Sequence, residues 1–390
     1  MKRRSALAKS VAGVALAVLM LVAALAPQPA MAKKKPKAPE IDIAKLVWPF
    51  GAPVPRVRFI GAYYGEEIKG VKKQGFLEKL AGVEDRASRN YLKKPYGIAI
   101  DSKGRAFVAD SIAGVVFVFD VGNKTLEYRG DKPPAAFQKP IGVAIDAKDR
   151  LFVSDSALHN ITVFDADGNV LTVFGEEELV RPGGMAIDEP MERLYVTDIK
   201  ARRVAQFNLA TFKFEGWIGK APDEVKTDGD RAGMLVGPTD VAVHPDGQIY
   251  VVDTLLDHVK VFDPDGTPVR TIGDVGAGAG RFMRPRGIAF DTDGHFYVCD
   301  GMNNLFQILE ENGQPLMPVG RTGMLPGQFQ VPAGIAIDKN NRIFVADQLN
   351  GRIQVFRYVT EEEAAQERAR LGIKKHDPQP AGSAGKAGKQ

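Results

Sequence analysis

Apolar side chains fall along this chain in short runs of four to six residues, each interrupted by turn-forming residues. One stretch reads Gly97-Ile98-Ala99-Ile100-Asp101, then Ala106-Phe107-Val108-Ala109-Asp110, then Val116-Phe117-Val118-Phe119-Asp120. The next reads Gly142-Val143-Ala144-Ile145-Asp146, Leu151-Phe152-Val153-Ser154-Asp155 and Ile161-Thr162-Val163-Phe164-Asp165. Runs of this length, rich in Val, Ile, Phe and Tyr, predict strands rather than helices. The turns between them have the right chemistry. Pro245-Asp246-Gly247 and Thr292-Asp293-Gly294 follow first strands, and Ala166-Asp167-Gly168, Pro264-Asp265-Gly266 and Glu311-Asn312-Gly313 follow third strands. Asp and Asn nucleate such turns, and Gly takes the positive-φ place. A fourth run then ends in Gly, as in Leu171 to Gly175, Phe214 to Gly219 and Val269 to Gly273.

The unit repeats six times. A proline opens it at 95, 140, 182, 238, 285 and 332, and an aspartate ends its second strand at 110, 155, 198, 253, 300 and 347. Four strands every ~45 residues describe a propeller blade, so the sequence predicts an all-β, six-bladed β-propeller of four-stranded blades. The sixth unit lacks a fourth run. Val57-Arg58-Phe59-Ile60-Gly61 has that pattern with no earlier runs before it. It is expected to pair with Ile353–Phe356 and close the ring, which removes an exposed sheet edge. Thr360 to Glu363 reads as a capping box opening a helix to about Leu371.

Around residues 57–358, the propeller, the sequence predicts a signal peptide over 1–32, a basic, Pro-rich segment over 33–56, and a short helix with a disordered Lys/Gly/Ala tail over 359–390. The signal reading rests on basic Lys2, Arg3, Arg4 and Lys9, an apolar Val11–Ala26, and cleavage after Ala30-Met31-Ala32. Sixteen apolar residues are short of the ~20 that span a bilayer, so no stable membrane span is expected after cleavage, and the periplasm or extracellular space is the expected location. The net charge of +4 then loses its meaning. Without the four Lys/Arg of residues 1–32, 48 basic residues face 48 acidic ones, and the basic excess sits in the two tails. A nucleic-acid partner is not expected, because the folded body lacks a basic footprint. Cys299 is the one cysteine; it falls where other units have Ala109, Ser154, Thr197, Val252 and Ala346, and reads as a small buried filler. Of the long connections, 62–94 is expected to hold a helix near Gly75–Leu92, and 220–237 is polar. The segments 274–284 and 321–331 share a Gly-x-x-x-Gly-x-Phe spacing whose Phe282 and Phe329 are expected to pack between blades.

The Pro-x-Gly-Ile-Ala-x-Asp strand, the aromatic-Val-x-Asp strand and the turn into Arg-x-x-Val-Phe resemble the NHL repeat, with Asp347 to Phe356 as the best copy. The resemblance covers Val57 to Tyr358. It implies a propeller whose inter-blade loops and second-to-third-strand loops share one binding face. Some NHL-like relatives are metal-dependent enzymes, of the peptidyl-amidoglycolate lyase or lactonase kind. Others serve envelope complexes, including electron-transfer ones.

A zinc enzyme wants three converging ligands. Of five histidines, only His159 and His258 fall in loops of the binding face, so no catalytic residue, metal or cofactor is predicted. The six repeated aspartates could suggest a metal ring, but repetition in every unit points to turn caps. A non-enzymatic binding scaffold for a protein or anionic partner fits the residues better. Its candidates are a basic collar of Lys94, Lys139, Arg181, Arg284 and Arg286, and the divergent fourth unit: Asp240 in place of the repeated Gly, and Leu255, Leu256, Asp257 and His258 in its loop.

Overall fold

A computed structural model describes residues 42–65 and 91–373, apart from 121, 124 and 228. The signal segment, nearly all of the helix expected at 75–92 and the tail from residue 374 lie outside the described residues.

Six antiparallel sheets form the ring. Blade one is Pro95–Ile100, Ala106–Asp110, Val115–Asp120 and Thr125–Arg129, and blades two to five repeat that order. Blade six is Pro332–Ile337, Arg342–Asp347 and Arg352–Tyr358. It is completed by Val57–Tyr63 from the other end of the propeller, in register Phe59 to Phe356 and Tyr63 to Ile353. The closing strand is therefore longer than 57–61. A fifth, outermost strand, Val47–Trp48, pairs with it through Trp48 to Val57. The segment over 33–56 read as basic and Pro-rich thus contributes to the sheet, because Trp48 packs its ring on Phe356 at 5.5 Å.

The period of two along each strand sends alternate side chains to opposite faces of a blade. The core is accordingly six clusters, one at each junction between blades. In blade six, Phe344 and Ala346 pack toward blade one, while Ile343 and Val345 pack toward blade five. A plug sits at every junction three residues before the repeated proline: Leu92, Phe137, Leu179, Leu235, Phe282 and Phe329 are all buried. After blade six, Thr360 Oγ1 accepts the Glu363 amide and the Glu363 carboxylate accepts the Thr360 amide, opening helix α1 (Glu361–Arg370).

Candidate functional site

The first strands of all six blades line a central channel of about 330 Å³. Its waist is built of backbone. A side chain at Gly97 would put its Cβ 2.5 Å from the Ile141 carbonyl oxygen, one at Gly287 2.3 Å from that of Ala333, and one at Gly334 2.1 Å from that of Tyr96. Only glycine permits this approach of neighbouring strands. Blade four breaks the pattern with Asp240, whose carboxylate lies against Gly184 of blade three. Oδ1 accepts the Val241 amide at 3.0 Å and Oδ2 the Ile288 amide at 3.1 Å. Burial pushes this carboxyl up to about 7, against the pull of those two amides. Apolar Ile98, Val143, Met185, Ile288 and Ile335 share the channel wall.

At the loop end the channel opens into a second cavity of about 190 Å³ that shares Tyr96 and Ile141 with it. Lys94, Lys139, Arg181 and Arg286 stand around this mouth with Ser111, Ser156 and Gln348. None of the four cations pairs with a carboxylate among the described residues. The Arg286 guanidinium lies 6.0 Å from the Tyr96 ring centroid, and its buried Nε meets no acceptor there. Burial raises the Tyr96 hydroxyl above its ordinary value, with Arg286 pulling the other way. Gln348 is 3% exposed, and its Nε2 is also without a partner among the described residues.

The repeated aspartates explain how the mouth is held. Asp347 takes only the Asn350 side chain in its turn, and the other five cap their own turns with backbone amides: Asp110 Oδ1 accepts the amides of Ile112 and Ala113. The other oxygen reaches back to the connection before the first strand, accepting Lys93 N at 2.6 Å and Lys94 N at 2.8 Å. Asp155 does the same for Gln138 and Lys139, and Asp198 for Val180 and Arg181. The clamp fixes the backbone of Lys94, Lys139 and Arg181, whose side chains line the mouth. Among the described residues, no three His, Cys, Asp or Glu side chains converge on a metal position.

Arg284 stands apart from the collar. Its φ is 57°, its amide donates to Asp257 Oδ1 at 2.6 Å, and its side chain is absent from the cavity wall, where Arg286 stands instead. Asp257 is thereby a tie between blades four and five. Leu255 is 50% exposed on the loop face with its side chain against Gly237, and Leu256 is half-buried. The His258 ring is half-buried at the start of a third strand; desolvation lowers its pKa, and its Nε2 has no partner among the described residues. His159 occupies a left-handed turn position with φ 63°, shared with Asp257 and Asn304, so the turn itself accounts for its backbone. Cys299 is fully buried with its thiol pushed well up by burial, and it faces the next blade as Ser154 does, whose hydroxyl donates to Gly183 O at 2.6 Å.

Two columns of the repeat line the mouth, and of their members the sequence had singled out only Arg286. One precedes the waist glycine and holds Tyr96, Ile141 and Arg286. The other follows the repeated aspartate and holds Ser111, Ser156, Ile199 and Gln348. One residue further on lies a rim column, which is apolar and exposed in four consecutive blades: Leu255 at 50%, Met302 at 57%, Leu349 at 62% and Ile112 at 63%. Blades two and three have Ala157 and Lys200 there. Aligning the six units column by column would have found all three.

The family model for the NHL repeat matches residues 282–309 and 329–356, which are the core of blades five and six. No curated protein matches the chain. Among solved structures, a Bacteroides thetaiotaomicron protein of unknown function is 21% identical with a TM-score of 0.54, over 68% of this chain and 70% of that one. An auxiliary nutrient binding protein from the same organism is 15% identical with a TM-score of 0.53, over 68% and 69%. A gluconolactonase from Xanthomonas campestris is 16% identical with a TM-score of 0.52, over 68% and 86%. At these identities the likeness is one of fold. Among the described residues no helix is long and apolar enough to cross a membrane.

Proposed function

We propose, from the premise that this chain is an NHL-repeat six-bladed β-propeller, that it is an exported, non-catalytic scaffold whose loop face docks an acidic partner protein. The observation that carries the reading is the uneven rim. Ile112, Leu255, Met302 and Leu349 expose large apolar side chains at one repeated position, beside four mouth cations that have no carboxylate partner among the described residues. Scattered exposed apolar residues need no explanation, but a row of them on one face marks a contact surface. The cations select the partner: an acidic segment over the mouth is drawn in by charge, while the apolar arc supplies the area that leaves water. A metal-dependent hydrolase is less well supported, because the channel offers Asp240 as its only carboxylate among the described residues.

The test is capture by crosslinking from the producing cell's envelope, run in parallel for three proteins: wild type, Leu255→Asp with Leu349→Asp, and Lys94→Glu with Lys139→Glu and Arg181→Glu. A partner recovered in fixed proportion by wild type is expected to be lost with the first variant. With the second it is expected to bind at least tenfold more weakly, and the wild-type interaction is expected to weaken with salt. Equal recovery by all three proteins sinks the reading.

A further inference from the structure

The mouth cavity contains more than surface charge. Two donors that water and protein ordinarily satisfy, Arg286 Nε and Gln348 Nε2, are buried in its wall with no acceptor among the described residues. A buried donor left without an acceptor is costly, and native proteins retain few of them. Both donors are buried in the cavity wall, so a partner must place an acceptor inside the cavity to satisfy them. What they lack is an acceptor, and the cations beside them favour a negative one.

We infer that the mouth is a binding site for a small carboxylic acid, its carboxylate held by Arg286 and Gln348 within the ring of Lys94, Lys139 and Arg181, and its apolar remainder directed down the channel. The guanidinium edge and the amide present planar donors, which suit a flat carboxylate better than a tetrahedral phosphate. Size agrees: about 190 Å³ falls below the ~300–1,000 Å³ of sites that enclose a whole drug-sized ligand, so the cavity fits a head group. The wall shared through Tyr96 and Ile141 continues into the channel, where Ile98, Val143 and Met185 offer an apolar lining. The tail passes glycine backbone at the waist, where five blades have no side chain to block it and only Asp240 projects.

The experiment is isothermal titration of the purified full chain with acetate, pentanoate and inorganic phosphate at constant ionic strength. Pentanoate is expected to bind one-to-one and at least tenfold more tightly than acetate, since each buried methylene is worth about fourfold in affinity. Phosphate is expected to bind more weakly than pentanoate. Gln348→Leu keeps the side-chain bulk and removes the orphaned donor. It is expected to leave the melting temperature of the ligand-free protein unchanged or higher, while weakening pentanoate at least tenfold. Arg286→Met, which keeps the stem over Tyr96, is expected to weaken it further.

Equal affinity for acetate and pentanoate, tighter binding of phosphate, or undiminished binding by folded Gln348→Leu overturns the assignment. The rim variant Leu255→Asp with Leu349→Asp leaves the cavity wall intact and is expected to bind pentanoate as wild type does, so this site and the docking surface can fail separately. The carboxylate can arrive on a free acid or on a side chain of the docked partner. Pentanoate that leaves partner capture unchanged assigns it to a free acid, pentanoate that displaces the partner assigns it to the partner's side chain, and both results keep the pocket.

Discussion

Blades one to three and blades four to six use the same repeat and differ in what lies above it. In the middle of the third strand, the first three have Phe117, Thr162 and Ala205, while the last three have Lys260, Gln307 and Gln354, all buried. Those three long polar side chains hold the connections between blades. Lys260 Nζ donates to Arg231 O and Ala232 O, at 3.1 and 2.6 Å. Gln307 accepts the Gly280 amide at 2.9 Å and donates to Arg281 O at 2.6 Å. Gln354 repeats this on Gly327 and Gln328. The connections they hold, 219–237, 273–284 and 320–331, are longer than 175–181. A longer connection brings more backbone carbonyls and amides into contact with the blade, and these need partners where water is excluded. These three long connections each come with a buried polar staple, whereas 62–94, longer still, precedes blade one, which has Phe117 at that place. The exposed apolar rim lies on the stapled half and blade one, and three of the four mouth cations lie on the other half.

The sharpest test of this difference is at the clamping aspartates. Asp347 of blade six bonds Arg352 Nε at 2.7 Å, and Arg352 is 1% exposed with its remaining donors on the Tyr64 hydroxyl and the carbonyls of Met324, Leu325 and Gln328. Asp347→Ala leaves a buried guanidinium uncompensated and is expected to cost about 3–5 kcal/mol in urea unfolding. Asp155→Ala in blade two removes only bonds to backbone amides, and about 1–3 kcal/mol is expected. Equal losses would erase the distinction.

Next in size is Asp240, where blades one to three have glycine. The folded carboxyl keeps its proton to about pH 7, against 3.8 for an ordinary aspartate. Between those values the folded state binds more protons than the unfolded, so stability falls as pH rises and the loss is complete above 7. Asp240→Asn is expected to flatten much of that fall, with a gain of a few kcal/mol at pH 8 and little at pH 4, read from thermal unfolding at both. An unaltered pH profile would show that Asp240 does not titrate in this range. The staples come third: Gln307→Leu is expected to cost about 1–2 kcal/mol and Thr162→Val less than ~1. Smallest in stability is Leu349→Ser on the rim, within ~0.5 kcal/mol of wild type, although partner capture drops. A large loss there would make Leu349 part of the core rather than of a contact surface.

Much of the scaffold was legible because it rests on local chemistry repeated six times. The turn residues, the alternation of strands one to three, the orphan fourth strand at Val57 and the plugs Phe282 and Phe329 all read directly from the chain. The site was less legible. Lys94, Lys139 and Arg181 were noticed because they precede the repeated proline. Arg284 shares that place in the sequence, yet a left-handed backbone at φ 57° keeps it out of the cavity wall. Tyr96 and Gln348 looked like ordinary strand and turn residues, since nothing nearby in the chain marks them. The aspartates were expected to cap their own turns through backbone amides, and all but Asp347 do, but a second bond reaches a connection 16 to 18 residues earlier.

The sequence by itself determined the number of blades, their strands, the closure of the ring and the small size of position 299, because alternation and turn chemistry act between residues a few places apart. The tertiary structure alone decided which columns meet at the mouth. Arg286 of blade five, Tyr96 of blade one and Gln348 of blade six are far apart along the chain, and only closure of the ring places them on one cavity. Burial is likewise a property of the closed ring: the Asp240 carboxylate lies against Gly184 of blade three and accepts the Ile288 amide of blade five, and that enclosure raises its pKa.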